Sequence, residues 1–239
     1  MSAAFNYQEI PTGDPLPASG TDASSSGRVT RSAHFDVCPI WLELATRHLS
    51  DARAAQLERV AEWNRAEGVP EAGALEWEFE MSMQAVVACG NSVHAFSRAV
   101  QSRIQLPQFI CDEWRRNDTP RYMQIAEVLR RAFSLSSKQV SGVRQCVGEI
   151  LRFHELAIDP SQKSDATVFH PELRAAVAWR FVYFRYENAV LIVNATLRIM
   201  SELVTSGTAS EIEVQKYVDA LRSKIDELQK SSALKSARP

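Results

Sequence analysis

Residues 174–204, RAAVAWRFVYFRYENAVLIVNATLRIMSELV, decide the fold class. Trp179, Tyr183, Tyr186, Val190, Val193, Leu197, Met200 and Val204 recur at alternating spacings of four and three, and Phe181, Phe184, Leu191, Ala195 and Ile199 form a second apolar row. One apolar stripe marks a helix with one buried face, whereas two mark a helix with neighbours on several sides. The stretch is therefore expected to be one long central helix. Around it the pattern predicts an all-α bundle of about six helices.

The composition suits that architecture. A chain of 239 residues can bury a sizeable core, and 45% hydrophobic with 23% charged residues is globular. The net charge of −2 gives no general attraction to nucleic acid or anionic membrane, though it leaves room for a local basic patch. Cys38, Cys89, Cys111 and Cys146 are far apart and form no C-x-x-C pair. Structural zinc and disulfides are therefore not expected, and a reduced cytoplasmic setting is. The N-terminus lacks the basic start and apolar core of a signal peptide. Asn194, Arg198 and Glu202 interrupt the most apolar run, so no membrane association is expected.

Working outward, residues 1–33 are rich in Ser, Gly and Pro and are expected to be a disordered tail. A single helical domain is expected over 34–230, with a frayed C-terminal tail over 231–239. The first helix is predicted over 39–67, with Trp41, Leu44, Leu49, Leu57 and Val60 facing inward and Ala52, Ala54, Ala55 and Ala61 adding helix propensity. A second spans 73–104, where Ala85, Ala88, Cys89, Gly90, Ser92 and Ala95 would let a neighbour approach closely. Residues 107–118 read as a linker, because Pro107, Asn117 and Asp118 punctuate them. Helices over 120–133 and 137–156 follow. A polar loop then runs from Asp159-Pro160 to His170-Pro171, and after Gly207 a last helix covers 210–230.

Few motifs carry chemistry. The chain has no glycine-rich phosphate loop, no Glu-x-x-His pair and no G-x-S-x-G, and no cofactor or metal is expected. On the second helix Glu80, Gln84, Asn91 and Arg98 form a polar row, with His94 one turn from both Asn91 and Arg98. The plain reading is a solvated face. The functional one is a polar wall made by Asn91, His94 and Arg98 with Arg185 and Glu187. Those last two do not share a helical face, so no ion pair between them is expected. Residues 124–149 have the outline of a helix-turn-helix, a DNA-binding regulator in that reading. However, Arg130–Phe133 adds a turn too many, and few basic residues follow Lys138 to meet phosphates. The rings and arginines of 179–188 could stack bases, but helical spacing directs most of the rings to the core.

The order of several segments is more telling. The small-residue helix Ala85–Phe96, then Ile125–Phe133, Ile150–Pro160, His170-Pro171 and Trp179–Asn188 together resemble the HEPN superfamily of all-α nucleases and nucleotide-binding proteins. The resemblance covers 75–204. It implies a homodimer, and in active members an arginine and a histidine four to six residues later form a metal-free ribonuclease site. Histidine moves protons near neutral pH, and arginine holds the phosphate as charge builds. Carried over here, the family arginine falls on His154, the polar residue on Glu155 and the histidine on Asp159. Arg152 lies half a turn away, and His94 replaces an expected acidic residue. The candidate catalytic residues are thus Arg152, His154, Glu155 and Asp159. With both motif positions changed, the expectation is a catalytically degenerate module that binds a nucleotide, RNA or a protein in defence or regulation. A ribonuclease using His154 and Arg152 is the alternative.

Overall fold

The computed structural model describes residues 36–65, 72–159, 166–173 and 175–236, with side chains up to residue 230. The expected tail over 1–33 lies outside these residues. What is described is an all-α bundle with eight helices and one small hairpin, against the six or so helices predicted. The elements are α1 (Cys38–Arg65), α2 (Gly73–Gln101), α3 (Gln108–Arg116), α4 (Arg121–Ala132), α5 (Ser137–Ile158), β1 (Thr167–Phe169), β2 (Ala176–Ala178), α6 (Trp179–Tyr183), α7 (Tyr186–Ser206) and α8 (Ile212–Ser236).

The most extensive packing joins α1 to α2. α1 buries Cys38, Leu42, Ala45, Ala52, Ala55 and Arg59, while Leu57 is 60% exposed. The expected inward face is therefore rotated. Small side chains make the contact, because α2 also presents Ala85, Ala88 and Cys89 to the interior, and two alanine-lined helices can approach closely. Leu57 and Val60 consequently stand outside.

The predicted linker over 107–118 contains α3. Pro107 precedes its first residue, which needs no free N–H there, and Asn117 closes it; Ile110 is its buried residue. α5 starts at a capping box: Gln139 donates its backbone N–H to Ser136 Oγ, and Ser136 donates its own to Gln139 Oε1. α8 buries Val214, Val218, Leu221, Ile225 and Leu228 at the expected spacing and continues to Ser236, past the predicted end at 230.

The long central helix is corrected most. Residues 176–178 are a strand, α6 covers little more than one turn, and the helix breaks at Phe184 and Arg185. Arg185 has extended backbone and occupies the N-cap of α7 without a side-chain cap of its own. The cap comes from elsewhere: the backbone N–H of Tyr186 donates to Glu78 Oε1 on α2 at 3.0 Å. Phe184, fully buried at the break, packs against Phe79 and Phe153. α7 packs on α1, α2, α5 and α8, whereas α2 touches α1, α4, α5, α6 and α7. The bundle is thus organised on two helices. Among the described residues α7 has the length and apolar content of a membrane crossing, and half of it is buried against the molecule.

Candidate functional site

The last turns of α5 carry the motif residues and send them to different places. Arg152 is exposed and grips Glu149 through two nitrogens, at 3.1 and 2.8 Å, with its guanidinium 5.0 Å above the Phe153 ring. The hydrogen bond to Glu149 holds its pKa above the ordinary value against partial burial, and Tyr183 adds to the effect. His154, two residues on, is 9% exposed and turned toward α2. Residues two apart on a helix stand about 200° apart, so Arg152 and His154 do not face one ligand together.

Gly90 explains where His154 goes. A Cβ at position 90 would overlap the His154 ring and lie 2.7 Å from its Cβ, so only glycine leaves room for the imidazole between α2 and α5. The ring meets His94 edge-on, with centroids 5.8 Å apart. Burial lowers the pKa of His154, opposed by Glu155. Asp159 ends α5 in extended conformation, and its carbonyl accepts from Arg180 at 3.0 Å.

Arg152 and Glu155 instead share a cavity of about 410 Å³ with Leu156, Ala166, Val168, Trp179 and Tyr183. The hairpin and α6 build its far wall. Thr167 pairs with Ala178 in the antiparallel register, and the N–H of Trp179 donates to Ala166, which fixes the start of α6 against the hairpin. Trp179 and Tyr183 meet edge to face at 5.1 Å, and Arg180 lies 5.4 Å over the Trp179 ring. Tyr183 keeps 38% of its surface exposed. Four residue types converge here: a guanidinium, a carboxylate, a phenol and an indole.

The expected polar wall divides in two. Asn91, His94 and Arg98 lie toward the C-terminal end of α2, near Arg121 of α4. Burial, then Arg121, His154 and Arg98, hold the His94 imidazole down at about 4. Arg121 has its own pKa lowered by burial and by Arg98, and its hydrogen bond among the described residues is to neutral Gln124, at 3.1 Å.

Arg185 and Glu187 belong to another cluster, where Glu78 sits about 24 Å away along α2 at 1.5 Å per residue. Contrary to expectation they do pair, at 3.5 Å, because the helix break removes the spacing that would have separated them. Glu187 also accepts from Gln56 of α1. Burial, then Glu172, raise its pKa. Beside it Arg59, 1% exposed, donates Nε to Glu78 and a terminal nitrogen to Glu172, both at 2.5 Å. Burial opposes the charge on Arg59, and these bonds outweigh it and raise its pKa. His170, also 1% exposed, accepts the N–H groups of Glu172 and Leu173 on Nδ1, both at 3.2 Å. Its proton therefore sits on Nε2, which has no hydrogen-bond partner among the described residues. Burial, then Arg59, lower its pKa.

Sequence reasoning missed Arg59, Glu78, Glu172, Arg121 and the exposed side of Tyr183. Two carried a usable signal. Arg59 is in phase with Leu42, Ala45, Ala52 and Ala55, and Glu78 with Leu75, Ser82, Ala85 and Cys89, so each charge stands in a buried row. Among the described residues no three His, Cys, Asp or Glu side chains come together to hold a metal. Comparison with protein-family models, with curated proteins and with solved structures returned no match for this chain.

Proposed function

We propose that this chain is a non-catalytic, HEPN-like binding module that takes a nucleotide, or an unstacked base of single-stranded RNA, in the cavity at the end of α5. The supporting observation is the lining of that cavity by Arg152, Glu155, Trp179 and Tyr183. Its volume of about 410 Å³ falls within the range of small-ligand pockets. The exposed face of Tyr183 offers a stacking surface, Arg152 can turn from Glu149 to a phosphate, and Glu155 can accept from a base amino group. The motif histidine is withheld from this cavity, since His154 is turned inward against Gly90 and His94. A homodimer and a role in defence or regulation belong to the same reading.

Titration of tryptophan fluorescence with nucleoside monophosphates and a short single-stranded RNA tests it. Stacking is worth about 1–3 kcal/mol per base, so Tyr183→Ala is expected to weaken binding about tenfold or more, and Arg152→Ala comparably. The RNA is expected to remain intact in EDTA. Absence of binding to any of these probes would sink the reading. Cleavage lost in His154→Ala would replace it with a ribonuclease, and duplex DNA binding lost in Lys138→Ala with a helix-turn-helix regulator.

A further inference from the structure

At the meeting of α2 and α4 the molecule gathers positive charge, and among the described residues no carboxylate pairs with it. Arg98 and His94 lie one turn apart on α2, with Asn91 a turn further back, and Arg98 is exposed. α4 packs on α2, and its first residue is Arg121, half-buried there. Arg98 and Arg121 are close enough for one charge to disfavour the other, and the groups that act on His94 are Arg121, His154 and Arg98. Neither arginine has a carboxylate partner among the described residues, and Glu127, further along α4, is bound to Arg130 and Arg131. Arg121 opens α4, so the positive end of the helix lies at the same corner, and Pro120 gives it no side-chain cap. Like charges held together in a protein are costly unless an anion joins them.

We propose that Arg98, Arg121 and His94 form a binding site for a phosphate group. Two arginines give forked donors, the His94 imidazole and the Asn91 amide add neutral ones, and the N-terminus of α4 adds its dipole. A free nucleotide's tail and a nucleic-acid backbone both present such a phosphate, and the chemistry at the protein is the same. The site is separate from the cavity beside Arg152 and stands without the nucleotide reading of that cavity.

The test follows the imidazole carbon-bound protons of the full chain by NMR while inorganic phosphate is added. Saturable movement of the His94 signals is expected, with an upward shift of its titration midpoint as the anion offsets the arginines. Arg98→Gln, an exposed substitution that keeps the fold, is expected to weaken the effect about tenfold, the worth of one charge-assisted hydrogen bond. Arg121→Gln is expected to abolish it, with circular dichroism confirming that α4 is intact. Arg152→Ala is expected to leave it unchanged, which separates this site from the cavity. Parallel additions of a mononucleotide and a short oligoribonucleotide identify the source by which moves His94 at the lower concentration. No saturable movement with phosphate, or movement that persists in both arginine variants, would overturn the proposal.

Discussion

Toward its N-terminal end α2 offers Glu78 to Arg59, whose other nitrogen reaches Glu172, while Glu78 also caps the start of α7. Toward its C-terminal end the same helix offers His94 and Arg98 to Arg121, with no carboxylate partner for either arginine among the described residues. In the first cluster the charges of Arg59 and Glu78 are buried and matched, and four segments of chain are tied together. In the second the charges are less buried and unmatched. Buried charges survive when geometry and hydrogen bonding offset the loss of water, which suits a structural tie. Unmatched charges near the surface suit a ligand that arrives from solution. The difference between a tie and a site lies in the counter-charge rather than in the residue types.

The largest effect is expected from breaking the tie. Arg59→Met leaves Glu78 buried without its counter-ion and is expected to cost about 3–5 kcal/mol in urea unfolding. Arg98→Gln at the other end is expected to stay within about 0.5 kcal/mol of the parent chain, as exposed substitutions do. Equal losses at the two ends would erase the contrast.

Gly90→Ala tests the ground between the clusters. The added Cβ collides with the His154 ring, so an overpacking loss of about 1–3 kcal/mol is expected. Adding His154→Ala should recover much of that loss, and the double-mutant cycle would then show strong coupling. Additive losses would mean that His154 does not set the spacing of α2 and α5.

A more graded effect is expected in pH dependence. His94 takes up its proton at about 4 in the folded chain, below its ordinary 6.5. The unfolded chain therefore binds the proton first, and stability falls as pH drops from about 6.5 toward 4. Below that the contribution of this group is constant. His154 and His170, also lowered, act with the same sign. His94→Gln should flatten part of the acid limb of a plot of Tm against pH. Arg121→Gln should make the limb shorter and shallower with His94 retained, because the imidazole is then protonated more readily in the folded chain and the gap to its unfolded value narrows. An unchanged limb in both variants would place the acid sensitivity elsewhere, in His170 or His154.

Much of the bundle was legible because its rules are local. The repeat from Val214 to Leu228 gives α8, and Ser136 with Gln139 marks the start of α5. The rotation of α1 was not legible, since Ala52 and Ala55 read as helix formers when they are the packing surface. The break at Phe184 and Arg185 has no glycine or proline to announce it, and its cap, Glu78, comes from another helix. The candidate site suffered from that same omission. In an unbroken helix Tyr183 belongs to the buried stripe, but after the break it lines a cavity with Arg152 and Glu155. Arg152, His154 and Glu155 were found by their order in the sequence. Their separation follows from helical spacing, but the room that lets His154 turn inward depends on Gly90, a contact made in three dimensions.

Glu78 also has a consequence for when the molecule acquires its shape. It stands 108 residues before the N–H of Tyr186 that it caps. Helix formation in a short segment takes about 0.1–1 μs, whereas contacts between distant parts of a chain form much later. The segment carrying α6 and α7 is therefore expected to run first as one continuous helix. It would break at Arg185 only after α1 and α2 have paired and brought the carboxylate into place. The wall that holds Tyr183 would then be among the last parts to settle, so binding competence at the cavity would trail helix content during refolding.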